Sequence, residues 1–365
     1  MNIGFRVDGS TVIGTGHVMR CLTLAATLRD AGAACVFVCR DHPGSLAGRI
    51  RAEGHEAVLL AVGPGDVGET PARPGDHASW VGASWERDAA QTVAALGAHR
   101  PSWIVVDHYG LDARWEALVA AGLGARILAI DGQADRPHDC DALLDQTYSP
   151  RGAARWDGLV PARCRVFAGP GYSLLRPEFE AARATLRERD GVVRRLLVAF
   201  GGVDVPGATG IALEAVARGR TPDLCVDVVA GAGNPHLEDL RRRCRELGYA
   251  TLHVEPRGMA ALMAAADLAV GGGGTMMWER CAMGLPTVVV AIAGNQVEGG
   301  RLLAAAGGCL YAGDLDEARA GGLEVALRDV LSRPDTLRAM SVAASNLMRR
   351  PAGETPAGLL LAAAS

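Results

Sequence analysis

"NIGFRVDGSTVIGTGHVMRCLTLAATLRDAG", Asn2 to Gly32, decides the fold. It opens on a short apolar run (2–8) of strand length, passes through a glycine-bearing turn, and continues as a helix over 17–32. Working outward, the same unit recurs. ACVFVCR (34–40), AVLLAV (57–62), SWIVVDHY (102–109) and ARILAIDG (125–132) read as strands. GSLAGRIRAEG (44–54), ASWERDAAQTVAALGAHR (83–100) and ARWEALVAAG (113–122) read as the helices between them, and ALLDQTY (142–148) closes the sheet. Short apolar strands with helical crossovers imply a parallel sheet covered on both faces.

A second series begins with RRLLVAFGG (194–202) and continues through LCVDVVAG (224–231), LAVGGGG (268–274) and PTVVVAIAG (286–294), again with helices between. The chain has 365 residues, too many for one typical core. The expected architecture is α/β: an N-terminal Rossmann-like domain over 1–177, a linker helix over the Arg/Glu-rich 178–190, and a C-terminal Rossmann-like domain over 191–350. A Gly/Pro-rich stretch, 63–83, reads as a long loop. The tail PAGETPAGLLLAAAS (351–365) carries little folding signal and is expected to fray.

Hydrophobic residues make up 49% of the chain and charged residues 21%, an ordinary globular balance. A net charge of -4 gives no pull toward nucleic acid. No apolar run reaches the roughly 18 residues of a membrane span, and no basic, apolar leader precedes the first strand. The nine cysteines are scattered with no C-x-x-C pair, so buried thiols in a reducing cytoplasm are expected, not a zinc site or a disulfide framework.

In open parallel sheets, ligands bind beyond the carboxyl ends of the strands. Two such domains in series are expected to meet at an interdomain cleft, which singles out loops 9–16, 107–111, 131–136, 201–206, 231–236, 271–275 and 293–297. The first of these fails as a dinucleotide fingerprint: the third glycine is missing and the turn comes late after the strand. Gly14 and Gly16 let the backbone turn tightly beside a ligand. His17 opens the helix, where the dipole disfavours a cationic ring, so it is expected to stay neutral at pH 7 and to be competent as a general base. Arg20, one turn on, would meet a negative group. Read as structure alone, His17 is a cap residue and Arg20 a solvated charge.

VGGGGTMMWERCAMGLPTVV (270–289) runs from a strand through four glycines into a helix. Gly273 and Gly274 permit close approach of a diphosphate, Thr275 caps the helix or donates to phosphate, and Glu279 accepts from a ribose diol or merely complements the dipole. Gly201 and Gly202 form another strand-end turn. Asn295 and Gln296 offer amides to sugar hydroxyls, with a plain N-cap as the alternative for Asn295. Asp107 and Tyr109 lie at a strand exit in the first domain, where turn residues are also common.

FRVDGSTVIGTGHVMRCLTLA, VVDHYGLDARWE, LAIDGQADRPHDCDALLDQTY, GPGYSLLRPEF and AFGGVD together resemble the UDP-sugar hydrolases of pseudaminic acid biosynthesis. The resemblance runs in order over roughly residues 1 to 310, and extends to the GT-B transferase that adds GlcNAc to the lipid-linked peptidoglycan precursor. It implies a GT-B fold, UDP held mainly by the C-terminal domain, and a UDP-2,4-diacetamido-2,4,6-trideoxyhexose as substrate. It further implies no metal or other cofactor, and a cytoplasmic step toward the sugar of flagellin glycosylation. His17 matches the base that activates water for inverting attack at C1. Glu279 matches the ribose ligand, Asn295 and Gln296 the diphosphate and sugar loop, and Asp107 and Tyr109 are expected as sugar-side contacts. A glycosyltransferase with His17 deprotonating an acceptor hydroxyl is the alternative, and a nucleotide-sugar-binding module without turnover is the third reading.

Overall fold

The computed structural model describes residues 1–62, 77–219 and 222–362. The chain divides into two compact units, one of residues 1–174 with 350–365 and the other of residues 175–349. The first carries β1 (Asn2–Val7), β2 (Ala34–Arg40), β3 (Glu56–Leu60), β4 (Trp103–Asp107), β5 (Arg126–Ile130), β6 (Ala142–Asp145) and β7 (Arg165–Ala168). All pair in parallel, in the order β3-β2-β1-β4-β5-β6-β7. The second unit carries β8 (Arg195–Ala199), β9 (Cys225–Ala230), β10 (Ala250–Val254), β11 (Leu268–Gly271), β12 (Thr287–Ala291) and β13 (Leu310–Asp314), parallel in the order β10-β9-β8-β11-β12-β13.

Burial explains the near-continuous apolar strands. Ile3, Phe5 and Val7 face one layer of the first core, with Cys21, Leu24 and Leu28 of the helix Gly16–Asp30. Ile104, Val106, Trp115 and Ile127 fill the layer on the opposite face. In both sheets the chain reverses its winding direction once, between β1 and β4 and between β8 and β11. Such a switch point is where a parallel sheet opens a crevice for ligand.

Three features differ from the sequence-based expectation. β7 adds an edge strand beyond the expected close of the first sheet, and β13 does the same for the second. The expected linker helix is shorter, Pro177–Arg183, and it belongs to the second unit, where Phe179 is fully buried beside Leu197, Met259 and Met283. Beyond it, Arg189 leaves the helical path to donate to the carbonyls of Met263, Ala266, Met283 and Gly284. The described part of the tail does not fray: Pro356–Ala362 is a helix whose Leu360 is fully buried in the first unit's core, against the layer of the helix Gly16–Asp30. Three consecutive leucines supply an apolar face that packing rewards. Residues 63–76 of the expected long loop lie outside the described residues, while 78–81 form a turn of 3-10 helix.

Candidate active site

β1 hands the chain to Asp8 and then to a closed loop. Gly14 N donates to Ser10 O at 2.9 Å, and Ser10 Oγ accepts from the amides of Val12 and Ile13 at 3.1 and 2.9 Å. Gly14 sits at φ 81°, a left-handed conformation that favours glycine. The loop delivers His17 into the first turn of the helix, and the helix N-cap Thr15 makes no side-chain cap bond. β4 runs beside β1 with Val7 opposite Asp107, so the two switch-point strands bring His17 and Asp107 together across 90 residues.

His17 Nδ1 lies 2.5 Å from Asp107 Oδ1. Arg20 grips the same carboxylate with Nε at 2.5 Å from Oδ2 and Nη2 at 2.6 Å from Oδ1. Burial pushes the fully buried Asp107 carboxyl up, but the Arg20 charge, His17 and their hydrogen bonds outweigh it and hold it well below the usual carboxylate range. An ionised oxygen at that distance requires the proton on Nδ1, which donates to it. The Arg20 Nη2 contact to Nδ1 at 3.2 Å is then a close approach without a hydrogen bond. The tautomer, assigned from these partners, leaves the Nε2 lone pair free to accept a proton.

Aromatic rings surround the imidazole. Tyr109 meets it edge-on at 4.7 Å between centroids and Trp80 at 6.2 Å. His77 packs against Trp80 at 4.4 Å, and Arg136 lies over Tyr109 at 5.9 Å. Burial raises the Tyr109 phenol above its ordinary value; burial and then Arg136 lower His77 below its own. His108 serves the scaffold. Its Nδ1 accepts from Gly110 N at 3.0 Å, so the neutral ring carries its proton on Nε2, which faces Asp8 Oδ2 at 3.2 Å in an approach too poorly directed for a hydrogen bond.

Beneath the loop, Arg6, Asp8, Asp88 and Arg40 form a fully buried network of balanced charge. Arg6 reaches Asp8 at 2.7 Å and Asp88 at 2.7 Å, and Arg40 reaches Asp88 at 2.5 Å. The pattern repeats along the sheet edge: Asp131 pairs with Arg136, and Asp145 with Arg155 at 3.0 Å.

The second unit's strand ends are built from backbone. Gly201 sits at φ 99°. Gly231 N donates to Gly202 O at 3.1 Å, and a Cβ on Gly231 would fall 2.2 Å from that oxygen. Asp204 caps the following helix, accepting from Ala208 N and Thr209 N at 2.9 Å each. Gln296 Oε1 accepts from Gly273 N at 3.0 Å and Ile292 N at 3.2 Å, so its oxygen ties the glycine loop and only its NH2 remains to donate. Thr275 makes no side-chain cap bond, and exposed Gly274 has only ordinary contact distances around it. Asn295 is exposed in a 3-10 turn whose N-cap is Ala293, so the capping alternative falls away. Glu279 accepts from Arg176 Nε at 3.0 Å; its Oε2 has no partner among the described residues. Burial raises that carboxyl, with Arg176 opposing.

The structure thus gathers His17, Arg20, Asp107 and Tyr109 at one switch point, with Gly14 and Gly16 shaping the turn. It gathers Gly273, Gly274, Thr275 and Gln296 at the other, with Glu279 a turn away. Arg20 does meet a negative group, but that group is Asp107, which is fully buried with both oxygens engaged by His17 and Arg20, so Asp107 is placed as their partner and not as the expected sugar contact. Sequence reasoning missed His77, Trp80 and Arg136; the run DHASWVGASW (76–85), rich in rings, was the available signal. Among the described residues no cluster of three or more His, Cys, Asp or Glu is placed to hold a metal, and no helix is long and apolar enough to cross a membrane.

Two doubly wound parallel-sheet domains of this kind define the GT-B class, and the chain has that fold. It superposes on Acinetobacter baumannii MurG with a TM-score of 0.62 at 14% identity, covering 99% of this chain and 97% of that one. It superposes on the spinosyn rhamnosyltransferase SpnG with a TM-score of 0.67 at 18% identity, covering 100% of both. No family model matches the sequence. Within the class, the chain is similar to the UDP-2,4-diacetamido-2,4,6-trideoxy-β-L-altropyranose hydrolase of Campylobacter jejuni, 25% identical over 263 residues, or 72% of this chain and 81% of that enzyme. The resemblance carried by the motifs therefore holds over most of the chain.

Proposed function

We propose that the protein hydrolyses a UDP-linked 2,4-diacetamido-2,4,6-trideoxyhexose to free sugar and UDP, as a step of pseudaminic acid biosynthesis. The observation that carries this reading is the His17–Asp107 contact, which fixes a ring with one free lone pair at the switch point of the first sheet. The similarity to the Campylobacter jejuni hydrolase supports the substrate class. In the reaction, His17 Nε2 takes a proton from water as the water oxygen bonds to C1. The C1–O bond to phosphate breaks on the opposite face, and UDP leaves with the electron pair, so the anomeric configuration inverts. Asp107 stabilises the imidazolium that forms, as in acyl-transfer triads. Arg20 holds Asp107 ionised and in place. Glu279, Gly273, Gly274, Thr275 and the NH2 of Gln296 are assigned to the nucleotide, with Asn295 beside the sugar. Backbone amides at the glycine loop stabilise the leaving diphosphate without a metal ion.

The test is a panel of UDP-sugars followed by NMR, reading UDP release and the anomeric proton of the first-formed sugar. Expected are release from the diacetamido-trideoxyhexose, inversion, and a rate unchanged by EDTA. His17→Ala is expected to lower kcat by about 10²–10⁴-fold with little change in KM. Release by His17→Ala at the wild-type rate would remove the base. A second reading, transfer to an acceptor hydroxyl, is favoured by the fold shared with SpnG; it requires that UDP release be slow until an acceptor is added.

A further inference from the structure

Three buried polar atoms on consecutive residues of the second unit have no partner among the described residues: Nε and Nη1 of Arg280, and Oε2 of Glu279. Arg280 is 1% exposed. Its Nη2 donates to Gly272 O at 2.5 Å and lies 3.7 Å from Met277 Sδ. Its Nη1 lies 2.6 Å from where a Cβ on Gly271 would stand, so the guanidinium is pressed against the backbone of the glycine loop. The other arginines buried among the described residues are provided for. Arg6, Arg20 and Arg40 rest on carboxylates, and Arg189 on four carbonyls. Arg280 has a single carbonyl and, among the described residues, no paired carboxylate. Burial lowers its pKa only to about 10, so it is cationic at neutral pH. The neighbouring Glu279 attracts it through space but makes no ion pair or hydrogen bond with it, and Arg176 holds one of its oxygens.

A buried cation without a counter-charge is costly, and proteins retain one where an anion completes it. The loop above it is made of glycines, the thinnest layer a polypeptide can place between a charge and a ligand. We propose that Arg280 is the counter-charge of the diphosphate, acting through the Gly271–Gly274 backbone, an inference that rests on the nucleotide-sugar reading above. The guanidinium touches no phosphate. It sets the potential over the loop and fixes the Gly272 peptide, and is in that sense a positioning residue.

Calorimetric titration of the full chain with UDP and, separately, with uridine tests it. Arg280→Met is expected to weaken UDP binding by about tenfold or more, as for one weakly screened charge lost at short range, while uridine affinity stays unchanged. Arg280→Lys, which keeps the charge, is expected to regain most of the UDP affinity. Arg280→Gln stands in for Arg280→Met if the latter fails to fold, as judged by its melting curve. Equal UDP binding by a neutral variant and wild type overturns the proposal. So does a parallel loss of UDP and uridine, or an Arg280→Lys variant as weak as Arg280→Met, since each marks a merely structural tie. Wild type that binds uridine and UDP alike sinks the role of Arg280 and leaves the nucleotide reading standing; wild type that binds neither sinks both.

Discussion

The carboxyl edges of the two sheets solve the same geometric problem with opposite materials. In the first unit, Asp8, Asp107, Asp131 and Asp145 stand at the ends of β1, β4, β5 and β6, each buried and each matched to an arginine: Arg6, Arg20, Arg136 and Arg155. In the second, the corresponding ends are Gly201, Gly202, Gly231 and Gly271 to Gly274, and the polar work falls to peptide groups and the Gln296 amide, with no buried carboxylate–arginine pair of the kind in the first at those ends among the described residues. A side-chain edge can hold a proton at a chosen atom, because a carboxylate fixes a tautomer. A backbone edge can come close to a charged ligand from several directions, because nothing projects from it. Under the proposed function, proton transfer falls to the first unit and anion binding to the second.

The comparison breaks most visibly at Asp107. Asp107→Asn keeps the shape but removes the charge that holds Nδ1 protonated, and kcat is expected to fall by about 10²–10⁴-fold, comparable with loss of the base itself. Steady-state kinetics measure it; a kcat within twofold of wild type would mean the carboxylate is only a fold element. The variant also leaves Arg20 buried without its partner, so its melting temperature has to be read alongside.

The glycine edge gives a smaller effect that separates packing from binding. A Cβ on Gly271 would stand 2.5 Å from Ala199 O, so Gly271→Ala is expected to cost about 1–3 kcal/mol in urea unfolding. At Gly274 the nearest atom to a Cβ is 3.7 Å away, and Gly274→Ala is expected to stay within about 0.5 kcal/mol of wild type. A weakened UDP affinity in Gly274→Ala with unchanged unfolding would place ligand, and not protein, against that position.

The smallest effect sharpens the charged edge alone. His138 is held protonated: burial lowers its pKa, but Asp131 and Glu116 outweigh that and raise it to about 9. A folded-state value above the ordinary 6.5 adds stability in full below about pH 6.5, and that increment is lost as pH rises toward 9. The first unit's melting temperature is expected to decline over that window, and His138→Gln to flatten the decline. An unaltered slope in the variant would assign it to another group.

The alternation of strands and helices was legible because buried parallel strands carry continuous apolar runs and their crossovers carry helical periodicity. β7 and β13 were not, since four residues (RVFA) are too few to show a pattern and LYAGD is interrupted by Gly313 at φ 97°. Each member of the His17 cluster stood out singly through its place at a strand exit or helix start. Their contact did not, because it spans 90 residues and depends on which strands are neighbours. Trp80 was hidden inside the Gly/Pro-rich stretch 63–83. Arg280 was hidden in WERC, where an arginine reads as solvent-facing by default.

The helix Pro356–Ala362 makes the second unit an insertion within the first: residues 175–349 are continuous, while the first unit is assembled from two separated stretches. On the ribosome, the lobe encoded later in the chain is therefore complete before the one encoded earlier. A nascent chain halted near residue 349 would present an open slot where Leu360 belongs. The half that holds His17 thus receives one of its core residues, Leu360, only after the whole of the other unit has been synthesised.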